Sequence, residues 1–102
     1  MLRKACKIEI DELWNSKDEG AVKFLKLLEQ KYKSWKDKEV KFKEEELKDS
    51  KLKHTLTKCM IHYHPDKAKS ANPAIFKAKD IYLRKEIAKI INSITNDMKG
   101  FD

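Results

Sequence analysis

Glycine and proline occupy only four positions in this chain of 102 residues, Gly20, Pro65, Pro73 and Gly100, so the signals that break helices are confined to known points. Between them apolar residues recur at helical spacing, and no stretch alternates apolar with polar residues as a half-buried strand would. The chain is therefore expected to be all-α. Ser16 and Glu19 match a capping box, and Ala21, Phe24, Leu25, Leu28, Tyr32 and Trp35 follow at helical intervals, which predicts a helix over 17–36. Residues 37–49 are dense in charge, with Val40, Phe42 and Leu47 as their apolar members, and read as a linker holding at most a short turn. Asp49 or Ser50 can cap a second helix whose Leu52, Leu56, Cys59, Met60 and Tyr63 share one stripe. That helix must stop before Pro65, because the residue preceding a proline is pushed out of the helical region.

Asn72 and Pro73 supply an N-cap and a first residue for a third helix, and Gly100 its C-terminal close. Leu83, Ile87, Ile90, Ile91, Ile94 and Met98 give it the longest apolar stripe in the chain. It would run for about 27 residues, roughly 40 Å at the usual rise. Upstream, Cys6, Ile10, Leu13 and Trp14 share a helical face, so residues 1–15 read as an N-terminal tail or short helix packed on a helical domain spanning 16–102. The economical architecture is an antiparallel helical hairpin with an additional N-terminal helix or helices.

The 24 Lys and Arg against 17 Asp and Glu leave a formal charge of +7, which invites a nucleic-acid reading. The pattern qualifies it. Arg3 and Arg84 are the only arginines, and lysines alternate with acids, as in Lys36-Asp37-Lys38-Glu39, which is the habit of a solvated helix surface. Lys77, Lys79, Arg84, Lys85 and Lys89 read in the same way, as the solvated face of the third helix. A basic helical nucleic-acid-binding or scaffold module stays as the alternative reading. No apolar run approaches the roughly 20 residues of a membrane span, and no signal-type apolar stretch follows the first basic residues. Cys6 and Cys59 cannot build a disulfide framework, so an intracellular, cytoplasmic setting is expected.

His54, Cys59, His62 and His64 lack zinc-finger spacing, and Cys59 lies on the apolar stripe as a small core residue, so neither metal nor other cofactor is expected. With no placed nucleophile and no glycine-rich phosphate loop, the chain does not read as an enzyme. Trp14 and Trp35 are assigned to core or helix-junction packing, and Tyr63 to packing against the third helix with its hydroxyl toward water.

Between the two best-defined helices stands Tyr63-His64-Pro65-Asp66-Lys67. Pro65 fixes its own backbone and restricts His64, so the imidazole and the Asp66 carboxylate are held with little ordering cost on binding. A basic helix, this tripeptide, a lysine-rich loop and a second helix together resemble the J domain of the DnaJ family over about residues 47–98. The resemblance implies that the tripeptide lies in the loop joining helices II and III. It also implies a partner, the DnaK-type heat-shock ATPase, whose hydrolysis the tripeptide stimulates. By that likeness His64, Pro65 and Asp66 form the docking tip, with Asp66 engaging an arginine of the partner. Lys53 and Lys58 match basic positions of helix II, and Lys67 matches the basic residue after the tripeptide. A basic helix face would steer the encounter with an acidic surface. Ile91-Asn92-Ser93-Ile94 resembles the helix III stretch that packs on helix II.

The chain also departs from the pattern. Thr57 stands where the family often has Lys or Arg, Leu56 where tyrosine is frequent, and the tyrosine-leucine-glycine signature of helix I is missing. The long upstream helix, Trp35 and the loop before Leu47 look more like auxilin-type J domains, which recruit the chaperone to clathrin coats for uncoating. Neither a client protein nor one particular chaperone is written in these residues.

Overall fold

A computed structural model describes residues 2–98, with the side chains from Lys4 onward. Every regular element among the described residues is helical: α1 (Leu2–Ala5), α2 (Lys7–Asp18), α3 (Ala21–Lys31), α4 (Asp49–Tyr63) and α5 (Ala78–Met98), with 3₁₀ turns at Glu44–Leu47 and Pro65–Ser70. The all-α expectation holds.

The N-terminal third differs from the sequence reading. The helix expected over 17–36 is α3 over Ala21–Lys31, packed on α2, and the break between the two falls at Gly20, not ahead of Lys17. Ser16 does not cap. It sits inside α2, buried, and its hydroxyl donates to the Leu13 carbonyl at 2.6 Å, the back-bond a helical serine makes to its own preceding turn. The break falls where the backbone can take φ +127°, which only glycine does freely. Of the tail or short helix read over 1–15, it is a helix that forms: α2 runs through position 15, and Cys6, Ile10 and Leu13 belong to the main core. Tyr32 and Trp35 fall on the helical spacing by coincidence, since α3 stops at Lys31 and Tyr32 is already extended, yet both are buried.

The 37–49 linker with its one turn is as expected, the turn being Glu44–Leu47, where Glu46 Oε1 accepts from the Lys43 amide at 3.0 Å. Helix α4 opens at Asp49, whose carboxylate suits the positive end of the helix dipole, and closes at Tyr63 ahead of Pro65. Helix α5 is shorter than expected. Asn72 does cap, accepting the Ala74 amide on Oδ1 at 2.9 Å, but only for a single turn; the helix starts afresh at Ala78, where Asp80 Oδ2 accepts from the Lys77 amide at 3.0 Å. The expected closure at Gly100 lies outside the described residues.

One core joins all the helices beyond α1. Ile10, Leu13, Phe24, Leu25 and Leu28 from α2 and α3 meet Leu52, Leu56, Cys59 and Tyr63 of α4 and Leu83, Ile87, Ile90, Ile91 and Ile94 of α5. Helices α4 and α5 form the most extensive of these contacts. At about 0.8 kcal/mol per buried methylene, such a stripe on each element is what orders helices whose solvent sides are mostly lysine and glutamate. Charged pairs decorate the surface, among them Lys79 with Glu9 and Lys31 with Glu12, each at 2.8 Å.

Candidate functional site

The tripeptide is placed by the way α4 ends. A helix leaves its last carbonyls without intrahelical donors, and Pro65, lacking an N–H, cannot close them locally. Donors arrive from elsewhere. Lys67 Nζ returns to the Ile61 carbonyl at 3.0 Å, and the backbone N–H of Trp35, far upstream, reaches the His62 carbonyl at 3.2 Å. His64 itself adopts φ −57°, ψ 129°, the extended region a pre-proline residue prefers. Its carbonyl accepts twice, from the Lys67 amide at 3.0 Å and from the Trp35 indole Nε1–H at 2.8 Å.

With its backbone tied inward, the tripeptide turns its functional groups out. The Asp66 amide donates to His64 Nδ1 at 3.2 Å, and the Asp66 carboxylate stands 3.7 Å from the same nitrogen. That carboxylate side chain is 91% exposed, and the imidazole is 45% exposed. An acceptor so free of protein partners is available to a cation on another molecule.

Helix α4 supplies the positive surroundings. No acidic residue occurs between Ser50 and Pro65. Lys58 is exposed and Lys53 half-buried, about 140° apart around the helix axis, so they flank the solvent side together with Lys51 and His54. Thr57, at the position where a cation was missed, is exposed and donates to the Lys53 carbonyl at 3.0 Å. Beside the turn, Ile61 stands 58% exposed at a cleft of about 300 Å³ lined also by Trp35, Lys36, Lys38 and Lys67. The imidazole of His62 lies well within this field. Desolvation first, then the charges of Lys67 and Lys36, hold its pKa below the ordinary value.

Two assignments need correcting. Tyr63 does not send its hydroxyl to water: the side chain is fully buried and donates to the Tyr32 carbonyl at 2.6 Å. Burial also raises its pKa. Arg84 is not part of a solvated face. It is 7% exposed, its Nε donates to the Lys33 carbonyl at 3.0 Å, and its guanidinium lies 4.8 Å from the Phe76 ring centroid. Charge alone placed it outside, whereas its position one residue after Leu83 turns it toward the 32–35 segment. Trp35 packs as expected, buried and edge-on to Phe76 with centroids 5.4 Å apart, and in addition its indole N–H bonds the His64 carbonyl. The separation of 29 residues gave no sequence signal for that bond.

Trp14 is at a junction as expected, its Nε1 donating to Glu86 Oε1 at 3.1 Å. Cys59 is buried, and burial pushes its thiol up to about 12, so it is inert. Among the described residues no group of three His, Cys, Asp or Glu side chains is arranged to hold a metal ion, and no helix is long and apolar enough to cross a membrane. Several of the lysines are paired with carboxylates, as Lys7 is with Asp11 and Lys23 with Glu19, which thins the field offered to a polyanion. Comparison with protein-family models, with curated proteins and with solved structures finds no match for this chain.

Proposed function

We propose that this chain is a J-domain cochaperone, which docks on a DnaK-type heat-shock ATPase and stimulates its hydrolysis of ATP. The observation that carries the reading is the tripeptide itself: His64-Pro65-Asp66 directly follows a lysine-bearing helix with no acidic residue after Asp49 at its start, its backbone is bonded inward and its carboxylate is left to solvent. Asp66 is the group that would meet an arginine of the partner, His64 would orient it, and Pro65 would keep both in place. Lys58, Lys53 and Lys67 would supply the field that speeds the encounter with an acidic surface. The chain would contribute no catalytic group, since the bond broken belongs to the partner's nucleotide. Two buried, free cysteines suit a reducing, intracellular setting for this role. Within this reading the helices ahead of α4 favour an auxilin-like member, acting in the disassembly of a coat or complex.

The test is single-turnover ATP hydrolysis by DnaK-type chaperones with the wild-type chain, His64→Gln and Asp66→Asn, each variant checked for fold by circular dichroism. Stimulation by the wild type that vanishes in both variants is expected. A wild-type chain that stimulates none of a panel of cytosolic and organellar chaperones, or variants as active as the parent, would overturn the reading.

A further inference from the structure

The segment 32–35 crosses from the end of α3 to the turn after α4 and is bonded to α4, its turn or α5 at three of its four residues. The Tyr32 carbonyl accepts from Tyr63, the Lys33 carbonyl accepts from Arg84, and Trp35 donates both its backbone and its indole N–H. The two bonds from Trp35 land on the His62 and His64 carbonyls, either side of Tyr63. They fix the orientation of the peptide unit that joins His64 to Pro65. The indole is itself immobilised: it is 6% exposed and packs edge-on to Phe76, whose ring lies under the Arg84 guanidinium. The loop is held in shape as well, with the Asp37 amide donating to the Ser34 carbonyl at 2.9 Å and the Ser34 amide to that of Lys38 at 3.0 Å.

We infer that Trp35 is the positioning residue of the tripeptide: by filling the second acceptor site of the His64 carbonyl it sets the direction in which the imidazole and the Asp66 carboxylate leave the surface. This rests on the cochaperone reading above. Without the indole N–H the carbonyl keeps only its short-range bond to the Lys67 amide, and the turn can rotate about it. The basic face of α4 is untouched by that change, so the encounter with the partner should persist while its productive outcome falls. His64 Nδ1 should register the change too, because it accepts from the Asp66 amide only while the turn is held.

The experiment uses the full chain with Trp35→Phe, and a second variant carrying benzothienylalanine at position 35, which replaces the N–H by sulfur with little change of shape. Trp14→Phe, which removes an indole bond to Glu86 elsewhere in the molecule, is the control. In single-turnover assays both Trp35 variants are expected to lower the maximal stimulation about five- to tenfold, the weight of one hydrogen bond, with a half-saturating concentration changed by less than about twofold. Long-range proton–nitrogen spectra should show neutral His64 as the Nε2–H tautomer in the parent and as a mixture in the variants. Full stimulation by the benzothienylalanine variant, an unchanged tautomer, or an equal loss in Trp14→Phe would each overturn the inference. If the wild type itself stimulates no chaperone, it is the cochaperone reading that fails, and the tautomer measurement alone then decides whether Trp35 positions the turn.

Discussion

The Tyr63 hydroxyl donates to the Tyr32 carbonyl at 2.6 Å, in the buried space where the last turn of α4 meets the chain leaving α3. A side chain that would otherwise be plain core filling thereby fastens two segments 31 residues apart. Tyr63→Phe keeps the ring and strands a buried carbonyl, which costs about 1–2 kcal/mol. The urea midpoint should fall accordingly at unchanged m-value. An unchanged midpoint would mean that water replaces the phenol.

Arg84 tests whether a buried cation is held by geometry or merely by charge. Arg84→Lys preserves the charge but loses the fork that serves the Lys33 and Asp80 carbonyls at once, and the flat face laid on Phe76. A loss of about 1–3 kcal/mol in chemical denaturation is expected. Equal stability would assign the position to charge alone.

Gly20→Ala isolates a backbone effect. A Cβ there meets nothing within 4 Å, so the only penalty is the φ of +127° that an L side chain rarely adopts. Destabilisation of about 1–3 kcal/mol is expected, read as a lowered thermal midpoint. A neutral result would show that α2 and α3 can be joined by another turn.

His62 gives the fold a pH dependence of definite sign. Its folded pKa lies below the ordinary 6.5 of a free imidazole, through desolvation first and the charges of Lys67 and Lys36 second. As the pH falls below 6.5 the unfolded chain takes up the proton more readily, so this group's contribution to stability is lost between there and its lowered folded pKa. His62→Gln should flatten the change in urea midpoint between roughly pH 7 and pH 5.5. A slope identical to the parent's would place the titration elsewhere.

Sequence periodicity found α4 and the stripe of α5 because each element buries one continuous face. It set the break between the first two helices too early for a related reason: α2, Gly20 and α3 keep the apolar spacing in step, so a serine and a glutamate at capping distance looked like a beginning. The tripeptide was legible as a motif, and Pro65 made its place after a helix legible too. What no spacing rule could supply was the supporting shell. Trp35 to His64 and Arg84 to Lys33 span 29 and 51 residues through single hydrogen bonds, which leave no period behind.

Those same separations set the order in which the molecule can be assembled. Helix α4 and the turn at Pro65–Ser70 consist of local contacts, whereas the bonds of the 32–35 segment each require a long loop to close, at separations of 31, 51 and 29 residues. A chain whose long loops are still open therefore has the His-Pro-Asp sequence without the bond from Trp35 that directs it. On the reading proposed above, a half-folded copy would carry the motif without the long-range bonds that orient it.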